Sequence, residues 1–99
     1  MSRNPNRCPT HPGELLREDI LPEIHKSKTE IARMLGISRQ LLHGILSETK
    51  PVSAEVAVRL GKMFGNDPLV WIRMQGAYDG WHASREVDVS TVPTLFAAE

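Results

Sequence analysis

The stretch Lys28–Ser47, KTEIARMLGISRQLLHGILS, constrains the fold more than any other part of the chain. Apolar residues fall at Ile31, Leu35 and Ile37, then at Leu41, Leu42, Ile45 and Leu46, the spacing of two short helices whose inner faces meet. Ala32 is small enough for the second helix to cross close to it. Gly36, four residues on, can take φ > 0 and end the first helix. Ser38 is placed to cap the second helix by accepting a hydrogen bond from a backbone N–H of its first turn. Arg39, Gln40 and His43 are left on the outer face, and side chains of these types reach phosphates and base edges in a major groove. Two short helices joined by a tight turn, with that outer face, read as a helix-turn-helix.

The flanking signals extend this to an all-α domain of five helices. His11-Pro12-Gly13 leads into a first helix over about Pro12–Ile20, with Pro at its start and Glu14 in its first turn; Pro22 stops it. Ser27 with Glu30 forms a capping box for the second helix. Ser53 caps a fourth helix over about Ala54–Phe64, which Gly65-Asn66 ends. Asp67 caps a fifth, with Pro68 at its first position, running over about residues 68–82. That last helix is apolar on more than one face. Trp71, Tyr78 and Trp81 therefore read as a surface for a second copy or a partner, unless the first helix and the tail wrap them. Beyond it Val87 and Val89 alternate with Asp88 and Ser90 before Pro93 interrupts, which suggests a short strand or an extended tail. The expected organisation is an arm over residues 1–10, a domain over 11–83 and a tail over 84–99.

Composition excludes several classes of function. No apolar run is long enough to span a membrane, and MSRNPNRCPTHPG lacks the apolar region of a secretory signal. Cys8 is the only cysteine, so no disulfide forms within the chain, in keeping with a cytoplasmic protein. Cys8 and His11 have a C-x-x-H spacing without a second pair, so no metal site is expected. The other histidines, His25, His43 and His82, show no catalytic spacing, and neither a P-loop nor a nucleophile elbow is present. An enzyme is not expected, nor is a cofactor.

The net charge is zero, but its distribution is uneven. Residues 26–50 carry Lys26, Lys28, Arg33, Arg39 and Lys50 against Glu30 and Glu48, whereas residues 51–99 are acidic on balance. Within the basic half Gln40 can pair with adenine, and Arg39 with guanine or a phosphate. Ser27, Thr29 and Ser38 lie at helix starts, where hydroxyls and backbone N–H groups grip phosphates; Ser38 can also serve only as a cap. His43 shares the outer face, Lys50 can reach a phosphate from the following loop, and Arg3 and Arg7 either trail along DNA or remain solvated.

HPGELLREDILPEIHKSKTEIARMLGISRQLLHGIL followed by PVSAEVAVRLGKMFGNDPLVWIRMQGAYDGW resembles the HigA-type antitoxins of the Xre/Cro helix-turn-helix group, over about residues 11–82. The specific parts are HPGE, the SRQ start of the outer-facing helix, PVS before the fourth helix and W…Q.AYD.W in the fifth. The resemblance implies a lambda-repressor-like domain that dimerises, binds a palindromic operator, represses its own operon and neutralises a RelE-like, messenger-RNA-cleaving toxin of the HigB type. Two other roles fit the same residues: a stand-alone regulator without a toxin, and a protein-interaction module that has lost DNA binding. One departure stands out. Where the family often has Asn-Gly and basic residues after the recognition helix, this chain has Ser47-Glu48-Thr49-Lys50, and a carboxylate beside a phosphate is repulsive.

Overall fold

The computed structural model describes residues 7–96, and within them every regular element is helical. The α-helices are α1 (Pro12–Leu15), α2 (Lys28–Leu35), α3 (Arg39–Leu46), α4 (Ala54–Phe64) and α5 (Pro68–Glu86). Between α1 and α2 the chain continues as a π-helical segment, Leu16–Ile20, and a 3-10 turn, Leu21–Glu23. The single α-helix expected from Pro12 to Ile20 is thus only four residues long before it widens. Leu21 N–H bonds the Leu16 carbonyl five residues back, and Pro22, having no N–H, cannot restore an α-helical ladder.

The helix starts follow from local chemistry. Ser27 Oγ accepts from Glu30 N–H at 3.1 Å, Ser38 Oγ from Leu41 N–H at 3.0 Å, and Ser53 Oγ from Val56 N–H at 3.2 Å. Asp67 Oδ1 accepts from Leu69 N–H at 2.9 Å. The capping box at α2 is only half made, because the Glu30 carboxylate pairs with Arg33, whose Nε donates to it at 3.1 Å. Gly36 ends α2 at φ 78°, and Gly65 ends α4 at φ 69°. Arg59 of α4 reaches across to donate to the Leu35 carbonyl at 3.0 Å, giving the end of α2 a second partner.

The inner faces of α2 and α3 close on each other, with α4 against α2, α5 against α4, and α1 against both α3 and α5. Leu16, Ile31, Ala32, Leu35, Leu42, Ile45, Leu46, Val52, Val56, Ala57, Leu60 and Trp71 form one core. Each of its larger aliphatic side chains contributes about 1.5–3 kcal/mol by leaving water. Buried Gln75 ties the loop before α4 to α5: its Oε1 accepts from Val52 N–H at 2.8 Å and its Nε2 donates to Asp79 at 2.9 Å.

Three further expectations are corrected. Trp71 does not face a partner. It is 1% exposed, its indole N–H donates to Asn66 Oδ1 at 3.0 Å, and its ring lies against Phe64, so α4 has already claimed it. Helix α5 runs to Glu86 rather than stopping near residue 82. Val87 and Val89 lie in no strand among the described residues: Asp88 Oδ1 accepts from Ser90 N–H at 2.9 Å and curls the alternating stretch into a turn. Among the described residues, no helix is long and apolar enough to cross a membrane.

Candidate nucleic-acid interface

The turn at Gly36 and the cap at Ser38 set α3 across α2 so that Leu42, Ile45 and Leu46 point inward. Helical periodicity then places Arg39, Gln40, His43 and Ser47 within about a third of a turn on the opposite side. All four are exposed. Arg39, Gln40 and His43 make no side-chain hydrogen bond or ion pair with any described residue, so their donors and acceptors remain available.

Ser27 and Ser38 are both exposed and both occupied as caps. In each, the hydroxyl oxygen accepts from the backbone, which leaves the hydroxyl proton free to donate to a phosphate oxygen. Thr29 is exposed in the first turn of α2. Lys26, Lys28, Arg39 and Lys50 form no ion pair among the described residues, whereas Arg33 is taken up by Glu30. That pairing also holds the Glu30 carboxyl below its usual range. The net-neutral chain therefore carries a local excess of unpaired cations around the outer face of α3. Arg7 lies within the described arm; Arg3 lies outside the described residues.

Gly44 explains how Lys50 is placed. A Cβ on Gly44 would stand 2.7 Å from both Cγ and Cδ of Lys50, so the lysine stem lies across the bare backbone of α3. The Gly44 carbonyl also accepts from the N–H groups of Thr49 and Lys50, at 2.9 and 3.0 Å, folding the loop back onto the helix. A glycine inside an amphipathic helix usually marks a packing constraint of this sort, which was the available signal.

Glu48 stands in the same loop with φ 65°, a left-handed conformation that costs a residue other than glycine about 1 kcal/mol. Its carboxylate does not stand free. Arg17 Nη1 reaches it at 3.1 Å and also donates to the Leu46 carbonyl at 2.6 Å, while Arg17 Nε bonds Glu18 at 2.7 Å. Arg17 was missed by sequence reasoning, because nothing local to residue 17 indicates that it ends beneath α3.

Below this loop His11 is 2% exposed and caps α1, its Nδ1 accepting from Gly13 N–H at 2.8 Å. Its ring meets Tyr78 edge-on at 4.8 Å. Burial pushes its pKa below the ordinary value, against the raising influence of Glu48 and Asp79. The same burial raises the Tyr78 phenol. Tyr78 and Trp81 are only partly exposed, and Arg85 covers the Trp81 ring at 3.8 Å. The apolar residues that remain open on α5 are instead Leu69, Val70 and Ile72 in its first turns; past its far end Val87, Val89, Val92, Leu95 and Phe96 are exposed as well. Among the described residues, no group of three or more His, Cys, Asp or Glu side chains could hold a metal ion.

Comparison with known proteins agrees with this geometry. No protein-family model matches the sequence. Virulence-associated protein I of Dichelobacter nodosus is 39% identical over 69 residues, which are 70% of this chain and 64% of that protein, so the chain spans just under two thirds of that relative. An addiction-module antidote protein of the HigA family from Coxiella burnetii superposes with a TM-score of 0.80 at 30% identity, covering 91% of this chain and all of that one. The antitoxin GraA in complex with its operator gives a TM-score of 0.82 at 34% identity, covering 98% of this chain and 100% of that one.

Proposed function

The chain belongs to the HigA family of helix-turn-helix proteins, and from that premise we propose that it is an antitoxin that binds DNA as a homodimer, represses its own operon and neutralises a messenger-RNA-cleaving toxin. One observation carries the DNA-binding part. The outer face of α3 presents Arg39, Gln40 and His43 with no side-chain partner among the described residues, ringed by Ser27, Thr29, Ser38 and Lys50. Gln40 and Arg39 supply the donor and acceptor pairs that read adenine and guanine, and the ring of hydroxyls and cations holds phosphates.

A single recognition helix of eight residues reads only a few base pairs. A two-fold pair about 34 Å apart supplies the missing affinity, and the open apolar strip of Leu69, Val70 and Ile72 on α5 is available to make it. The toxin follows from kinship rather than from an observed contact. A protein that cleaves messenger RNA binds a polyanion and is basic, and the acidic balance of residues 51–99 complements it. The exposed tail, with Val87 and Val89, is the segment best placed to lie along such a partner.

Two experiments test the reading. Titration of the chain's own promoter DNA by fluorescence anisotropy should give sequence-specific binding that weakens steeply with salt; equal binding to promoter and scrambled duplexes would defeat it. Co-expression with the neighbouring small basic reading frame should relieve toxicity and yield a co-purifying complex. Specific DNA binding without any protective effect would leave a stand-alone regulator. Protection without DNA binding would leave an interaction module.

A further inference from the structure

Glu48 and Arg17 make a device at the foot of the recognition helix, and its meaning rests on the DNA-binding reading above. Glu48 directly precedes Thr49 and Lys50 in the loop after α3, and α3 is only about 12 Å long. With a Debye length of about 8–10 Å, a charge at the end of so short a helix is incompletely screened from the phosphates when α3 lies in a groove. A free carboxylate there would repel the phosphates that Lys50 is placed to attract. The chain nevertheless keeps Glu48 in a left-handed backbone conformation that suits glycine or asparagine better.

What keeps the carboxylate from being free is Arg17, from the π-helical segment after α1. One nitrogen, Nη1, holds both the Leu46 carbonyl at 2.6 Å and Glu48 Oε2 at 3.1 Å, so a single group fastens the last turn of α3 and the carboxylate beyond it. The Glu48 side chain is 27% exposed and that of Arg17 is 38% exposed, so the pair is only partly screened by water. Glu48 is held back toward the segment after α1 rather than left over the outer face.

We propose that Arg17 is a positioning residue for DNA binding: it fixes the end of α3 through the Leu46 carbonyl and, although its Nε also pairs with Glu18 at 2.7 Å, its Nη1 offsets the Glu48 charge, leaving Lys50 as the main charge that the loop presents to a phosphate. The position is thereby also a control point for affinity, since the loop can change its net charge without altering the residues that face the bases. Because phosphate contacts carry no sequence information, the effect is on affinity for all duplexes rather than on operator choice.

The test measures promoter and scrambled duplexes against the full chain and three variants, Arg17→Met, Glu48→Gln and Arg17→Met with Glu48→Gln, across a salt series, with a thermal melt of each. Glu48→Gln should tighten both duplexes several-fold at low salt and steepen the salt slope, by up to about one. Arg17→Met should weaken both about tenfold and flatten the slope. The double variant should recover most of that loss while its melting temperature stays as low as that of Arg17→Met, which separates charge from folding. A purely structural role for Arg17 would make affinity follow the melting temperature, with no recovery in the double variant, and that result overturns the proposal. Should Arg17→Met fail to fold, Glu48→Gln alone decides: unchanged affinity and slope refute it. If the unmodified chain prefers its promoter and the variants do not move, only this inference fails. If no form binds any duplex, the DNA-binding reading fails with it.

Discussion

Gly13 lies so close to Ile45 that a Cβ built on it would stand 1.8 Å from the Ile45 carbonyl oxygen. The start of α1 therefore rests directly on the backbone of the recognition helix. His11, whose Nδ1 would lie 3.1 Å from the same Cβ, closes the other side. This contact sets where α3 sits relative to the rest of the domain.

Gly13→Ala should accordingly be among the most damaging small substitutions. The neighbour is backbone, which cannot step aside as a flexible side chain would, so a loss of about 2–4 kcal/mol is expected from overpacking. Thermal or urea unfolding measures it; a melting temperature within a degree or two of the parent would refute the contact.

Gln40→Ala should cost roughly 1–3 kcal/mol on the promoter and relax discrimination at one base pair, with the melting temperature unchanged because Gln40 is exposed. A binding titration on single-base variants of the site reads this. Undiminished affinity for the parent promoter would remove Gln40 from the interface.

Gly44→Ala separates folding from binding. Alanine is favoured over glycine inside a helix by about 1 kcal/mol, yet the new methyl would displace the Lys50 stem. Stability should hold or rise while affinity for all duplexes falls, as it should for Lys50→Ala. A gain in both stability and affinity would show that the Lys50 placement has no part in binding.

Acid should weaken the fold through His11. Its folded-state pKa is depressed by burial, so the neutral ring is favoured in the folded chain and the unfolded chain binds the proton more readily. The stability it contributes is complete above the unfolded value of about 6.5 and is lost as pH falls from there through the folded-state value. Protonation also places a second donor opposite Gly13 N–H, opening the cap of α1. Melting temperatures between pH 7 and 5 should decline in the parent and less so in His11→Asn, which keeps a capping oxygen. Parallel declines would assign the effect to other groups.

On α5 the buried and open apolar residues should behave oppositely. Trp71→Ala should cost about 3–5 kcal/mol and disturb the whole domain. Ile72→Glu, on the 38% exposed side chain, should leave the monomer folded but lower the association seen by sedimentation. A monomeric parent at micromolar concentration, free and on DNA, would remove the proposed dimer surface.

What the sequence determined by itself was local. The caps at Ser27, Ser38, Ser53 and Asp67 and the turns at Gly36 and Gly65 depend on hydrogen bonds spanning a few residues and on a glycine's freedom at positive φ. The inward faces of α2, α3 and α4 follow from periodicity, and so does the exposed trio Arg39, Gln40 and His43. Tertiary structure decided the rest, because distance along the chain conceals it. Trp71 and Ile72 are adjacent large hydrophobic residues in the sequence, and only the position of α4 buries one and leaves the other open. Arg17 finds Glu48 and Leu46, and Gly13 finds Ile45, once α1 has packed against α3. Such contacts depend on how helices far apart in sequence are placed, which no local propensity encodes.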